Sequence, residues 1–513
     1  MNAAPASNAG WRTRMAGVHT WCGIVLGVVL LVVFWMGTLS VFDRELDRWM
    51  MPATRLPAPQ RPPPLDALQP VVQALVPAGA RQWRIDWATP RTPVLRLSWQ
   101  GPDGGRGQRY LDAATLAVLP APETWGASGF IFPFHYGLHW DWKDLGKWLV
   151  GLAGMGMLVL LVGGVVIHRR LLADFFTFRP RSRLPRSSLD LHNVTGVMGL
   201  PFHVAITMSG LVIFWSLYFP QAHVGVYGDG PRARAALQAD GYGRYQRPRA
   251  GPATAPMASL DAMADAARRT WGAGAEPYFL RVWNPGDRHA TVELRRSYAR
   301  EVSMNLDQLF FDAATGRPLH RFEAAPAMGV QRFISGLHFI QFEHPLLRWL
   351  YFGLGLSGCV LIASGLVHWL AARRACTPPG LHWRLVESLC IAGTTGTVVA
   401  TLAFLAANRL LPDAAHALGW TRAKLEAAAF YGTWLACLAL ALVRGPQAWR
   451  DQATAISGLA LVCVVLNALT TGAYGAAWSR TPAAVVGVDI MLLLLATVAA
   501  WSAQRIARGS AAA

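Results

Sequence analysis

The sequence predicts a mainly α-helical, polytopic membrane protein. Its core is a duplicated helix–α+β domain–helix unit forming a four-helix bundle, followed by four extra helices. Three observations predict this. Hydrophobic residues make up 53% of the 513 and charged residues 15%, with a mean hydropathy of +0.28, which excludes a disordered chain and argues against an ordinary soluble enzyme. About eight apolar stretches are each near the ~20 residues a helix needs to cross the hydrocarbon. The chain also repeats itself.

The spans run Val18–Phe42, Leu145–His168, Val194–Phe219 and Leu346–Leu370, then Leu385–Leu411, Ala427–Val443, Ala455–Gly475 and Ala483–Ile506. The first reads as a membrane helix and not a cleavable signal, because no small-residue cleavage site precedes Asp43 and Arg44. The formal charge is +18, and all but three of the cationic side chains are arginines. No basic stripe interleaved with aromatics suggests nucleic acid. The arginines sit in short loops instead: Arg12 and Arg14, the segment 169–193, the segment 371–384, and Arg505 with Arg508. An even number of spans puts all of these on one side, expected to be cytoplasmic. The tail 507–513 and residues 1–17 fall there too. The loop Pro412–Lys424, with Arg422 and Lys424, dissents.

The insertions 43–144 and 220–345 are then expected outside, as two small α+β domains. In the first, Pro64–Val76 has helical spacing, and strands Val94–Trp99 and Gln108–Leu111 flank a glycine-rich turn. In the second, Met257–Trp271 reads as a helix and Phe279–Leu294 as a hairpin about the turn Asn284–Asp287. None of the six cysteines lies in either insertion, so these hold no disulfides.

The repeat carries most information. His19, Gly23 and Gly37 recur at the same offsets as His192, Gly196 and Gly210. Asp112-Ala-Ala-Thr115 recurs as Asp312-Ala-Ala-Thr315, and Gly137-Leu138-His139 as Gly336-Leu337-His338. Each copy then ends on a span closing in His168 or His368.

Histidines therefore fall in matched layers: His19, His168, His192 and His368 at the inner helix ends, and His139 and His338 at the outer ends. His139 and His168 are 29 residues apart, about 43 Å as helix, so the layers bracket the bilayer. His203 follows His192 by 11 residues, about 16 Å along the helix and within about 20° of the same face. It reads either as a cofactor-facing residue or as a polar neighbour of the kink at Pro201. A lone histidine at a helix end is commonly interfacial; the layering points to cofactor ligation. Haem fits: paired neutral imidazoles ligate its iron, and bundle glycines admit a flat macrocycle. There is no Cys-x-x-Cys-His, so attachment is expected to be non-covalent, as two b-type haems with bis-histidine ligation. His135, Trp140 and Phe342 are candidates for an outer exit or substrate surface; the aromatics read equally as an interfacial belt.

The stretch Met15–Gly27, the segment GVVIHRRLLADFFTFRP over 164–180, and Asp190-Leu-His192-Asn-Val-Thr-Gly196 resemble PepSY-associated transmembrane proteins, over about Arg12–Arg374. The resemblance implies PepSY-like outer domains. It also implies an iron-regulated inner-membrane protein that passes electrons through haem to a periplasmic ferric siderophore and so releases Fe(II). The electron donor would be a quinol or a cytoplasmic reductase. The flavin reductase domain of some relatives is not expected, as no Gly-x-Gly-x-x-Gly motif follows a strand. A competing reading is a non-enzymatic periplasmic sensor or regulatory protein anchored by the helices. Ion-coupled transport is a third, disfavoured by the scarcity of acidic residues in the spans, where Asp489 is the main exception.

Overall fold

The computed structural model describes residues 6–59, 63–168, 177–340, 343–374, 376, 380–472, 474 and 481–511. They divide into two compact units. One comprises 1–52, 123–211 and 346–513; the other comprises 53–122 and 212–345.

The helical unit holds the long apolar helices. Among the described residues there are seven stretches long and apolar enough to cross a membrane. The sixth, Arg422–Thr471, has 50 residues, about 75 Å as one helix and too long for one crossing. It breaks into Arg422–Arg444 and Ala448–Thr471 at Gly445, whose φ of 54° suits a residue without Cβ. The first and third helices start earlier than their apolar cores suggest: Ala6–Ser40 and Leu184–Ile213. The third therefore carries His192 well inside a helix, with Pro185 in its first turn, where a missing N–H costs nothing. Asp190, 4% exposed, anchors that start by pairing with Arg179 at 2.9 Å and Arg186 at 3.2 Å.

Two short helices expected outside belong to this unit. Asp43–Met50 and Gly126–Gly137 both precede or follow the boundaries of the second unit, so its first segment begins at 53 and not at 43. Leu30, Leu31, Met157, Leu161, Cys359, Ile362 and Leu366 form the core between the helices of the repeat.

In the second unit, the two expected domains share one sheet. Seven antiparallel strands run in the order β3-β2-β1-β4-β5-β6-β7. They are β1 Gln82–Asp86, β2 Val94–Gln100, β3 Arg106–Asp112, β4 Pro277–Trp283, β5 Thr291–Arg296, β6 Gln308–Asp312 and β7 Pro318–Phe322. The joint is β1 against β4, with Arg84 opposite Arg281. The alternation Trp83, Ile85 and Leu280, Val282 turns apolar side chains to one face, where helices Gln69–Leu75 and Leu260–Trp271 cover them. Within Pro64–Val76 the helix is confined to Gln69–Leu75 after a 3-10 turn at Asp66–Leu68. Each Asp-Ala-Ala-Thr is a tight turn: Asp112 and Asp312 accept hydrogen bonds from the N–H groups two and three residues on.

Candidate functional site

Four of the predicted histidines gather at one end of the bundle. His19 and His192 have ring centroids 6.2 Å apart, with planes at 86°. His168 and His368 lie, like His19, within Coulombic reach of His192. His192 Nδ1 donates to the carbonyl of Leu361 at 2.8 Å, and His368 Nδ1 donates to that of Pro185 at 2.8 Å. A carbonyl can only accept, so both rings carry the proton on Nδ1 and the lone pair on Nε2. Backbone carbonyls orient metal-ligating imidazoles in this way. His168 caps the helix Leu145–Ile167, its N–H closing on Gly164 O at 3.1 Å.

A second layer forms about one turn of the first helix, Val33–Gly37. His203 is 0% exposed, and among the described residues neither ring nitrogen has a hydrogen-bond partner. Its ring lies 6.0 Å from that of Phe34. His135 Nδ1 donates to the carbonyl of Val33 at 2.9 Å. Phe34 is 15 residues from His19, about 22 Å along the helix, so the layers are separate. His135, expected on an exit surface, is thus a bundle residue.

Glycines seat these rings. A Cβ on Gly37 would stand 2.6 Å from His135 Cε1, one on Gly365 2.9 Å from His192 Nδ1, and one on Gly358 3.3 Å from His203 Cε1. Gly163 and Gly164 face His19 at 3.5 and 3.6 Å. Of these, Gly163, Gly164 and Gly358 were expected to admit a macrocycle; here they stand against imidazoles.

The remaining candidates stand elsewhere. His139 adopts a left-handed backbone (φ 52°), stacks 4.8 Å from Phe130, and donates from Nε2 to the Phe130 carbonyl at 2.8 Å. Burial among these rings lowers its pKa, against the raising effects of that carbonyl and of Asp141. His338 belongs to the other unit, on the helix Pro326–Phe339. There Gly336 passes so close to the Val302 carbonyl that a Cβ has no space. Trp140 is 49% exposed. Phe342 lies outside the described residues. Among the described residues, no three His, Cys, Asp or Glu side chains converge as a metal cluster.

Buried polar groups join the last helices to the rest of the helical unit. Asp489 accepts from Trp49 Nε1 at 2.7 Å, Asn467 Nδ2 at 2.7 Å and the Tyr474 hydroxyl at 2.6 Å. Glu426, 0% exposed, accepts from Thr124 and from Asn408 Nδ2 at 2.9 Å, and pairs with Arg422 at 3.3 Å. Arg409 donates to the Met50 carbonyl. Sequence reading singled out Asp489 alone, since a local window shows neither Glu426 nor Arg409 its partner.

Long apolar helices with layered buried histidines, together with a separate antiparallel sheet, define a multi-pass membrane protein. The family model described as PepSY-associated TM region matches residues 16–372, and the chain belongs to that family. It is also 28% identical over 378 residues to the uncharacterized protein PA4219 of Pseudomonas aeruginosa, a match that covers 68% of this chain and 88% of that protein. The last helices lie beyond the family match.

Proposed function

We propose that this protein is a b-type haem electron-transfer protein of the inner membrane, a ferric-siderophore reductase with both termini cytoplasmic. The observation that carries the reading is His203: an imidazole sealed from solvent whose two nitrogens find no partner among the described residues. An unpartnered buried polar group costs about 1–3 kcal/mol. Ligation of a metal by one of the two nitrogens relieves part of that cost.

The donor set suits haem iron, which takes two neutral imidazoles without adding charge to the bilayer. His19 and His192, with His168 and His368 beside them, would hold one haem at the inner end. His203, with His135, would hold a second nearer the outer end; this replaces the outer ligands His139 and His338 expected from spacing. Bound haem would supply one-electron transfer between the two layers. The chain's own residues do the rest. The carbonyls of Leu361 and Pro185 hold Nδ1–H and leave Nε2 of His192 and His368 to ligate, and the Val33 carbonyl holds Nδ1–H of His135. The apolar helix faces exclude water. The electrons would come from a quinol or a cytoplasmic reductase. One electron would convert chelated Fe(III) to Fe(II) in the periplasm, and Fe(II) is held less tightly by hard oxygen ligands.

The test is a spectrum of the protein purified from haem-replete cells. A Soret band and a dithionite-sharpened α band are expected, with reoxidation on adding a ferric hydroxamate or catecholate chelate. A colourless preparation overturns haem binding. A reduced haem that ferric chelates leave unoxidised overturns the reductase reading.

A further inference from the structure

The histidine layers leave unused a cavity at the joint of the seven-stranded sheet. At one end of that joint Gln82 pairs with both Trp283 and Gln100. Beside it opens a cavity of about 480 Å³, lined by Arg81, Arg244, Arg247, Arg249, Trp283 and Asn284, among others. That volume is typical of small-molecule sites.

The charge is one-sided. None of the described residues lining the cavity is acidic. Arg247 is compensated by Asp312 at 2.7 Å. The other three guanidiniums meet neutral oxygens: Arg81 the Pro102 carbonyl, Arg244 the Gln246 side chain, and Arg249 Asn284 Oδ1 with the carbonyls of Gly79 and Ala80. Asp287 acts on Arg249 through space, but its oxygens are taken by the N–H groups of Ala250, Gly251 and His289. Trp283 is held by Nε1 donating to Glu293 Oε2 at 2.8 Å, so its ring is a fixed wall.

Converging guanidiniums repel one another, and a ligand bearing several negative oxygens relieves that repulsion. The planar guanidinium fork matches carboxylate and phosphate oxygens in pairs. We propose that this cavity binds a small multivalent oxyanion carrying carboxylate or phosphate groups. The proposal stands independently of haem binding.

Calorimetric titration of the full-length protein in detergent micelles tests it, with citrate as the carboxylate probe, pyrophosphate as the phosphate probe and acetate as the monovalent control. Citrate or pyrophosphate should bind one per chain, more weakly at higher salt, and the stronger of the two names the class. Arg81→Gln and Arg244→Gln should each weaken binding about tenfold. Arg109→Gln removes the same charge from an exposed position on β3 and should leave binding unchanged. If Arg244→Gln does not fold, Arg244→Lys keeps the charge, loses the fork and should still weaken binding. The proposal is overturned if neither anion binds below millimolar concentration, if acetate binds as well, or if Arg109→Gln weakens binding equally.

Discussion

Asp66 and Asp261 cap each other's helices across the two copies of the repeat. Asp66 accepts from Leu260 N and Ser259 Oγ, both at 2.6 Å, at the start of the helix Leu260–Trp271. Asp261 accepts from the N–H groups of Leu65 and Asp66, at 2.9 and 3.0 Å, at the start of the other copy's helix. An exchange of caps ties the copies together as the β1–β4 joint does. Asp66→Ala and Asp261→Ala should each destabilise the sheet-bearing unit by about 0.5–2 kcal/mol, read as a lowered unfolding midpoint. A variant that melts with the parent would show the caps to be idle.

Two carboxylate environments set opposite pH trends. At Asp66 and Asp312 burial raises the pKa, but donors such as Ser259 and Arg247 outweigh it and hold both below the ordinary value. Their contribution is full above the unfolded pKa of about 4 and is lost as pH falls through the folded values. Asp47 runs the other way: burial first, then Asp43, pushes it up to about 6, against Arg44 and Ser128. Its contribution is full below about 4 and is lost as pH rises through about 6. Asp47→Asn keeps an oxygen for the Ser128 N–H, 3.0 Å away. It should flatten stability between pH 4 and 6, measured by thermal unfolding; an unchanged profile would refute this assignment.

Gly37 and His203 test the second layer separately from the first. Gly37→Val drives a side chain into the space of the His135 ring, at an overpacking cost of about 1–3 kcal/mol. His203→Ala removes an imidazole outright. Each should lower bound haem by about half and leave one redox transition, since His19 and His192 remain. Haem content and a potentiometric titration decide it. Full loss in both variants would mean that the layers are not separable.

Glu426→Ala should be costly. It leaves Arg422 without its buried partner and Thr124 and Asn408 without an acceptor. Breaking one side of a buried pair costs about 3–5 kcal/mol. Midpoints in detergent should fall well beyond those of an exposed control such as Arg450→Ala; equal midpoints would show that the network does not hold these helices.

The helical membrane character and the proximity of His19 to His192 were legible because each left a local pattern: apolar runs near 20 residues and fixed offsets between neighbours. The hairpin β4–β5 was legible for the same reason, while β1 was missed. Its five residues, Gln82–Asp86, contain two charges and acquire strand character from β2 and β4 on either side.

By itself the sequence determined a mainly helical membrane chain in which histidines and glycines recur at fixed offsets. Tertiary structure alone decided that the two insertions share one sheet through β1 and β4, and that His135 lies against Gly37. It also decided that His139 turns to Phe130, and that Asp489 and Glu426 find donors on distant helices. His139 and Phe130 are 9 residues apart, but the shared sheet, the His135 contact and the bonds from Thr124 and Trp49 rest on partners roughly one hundred to several hundred residues away. Hydrogen-bond satisfaction and close packing select such partners only when the chain has folded, and no local window contains both members of the pair.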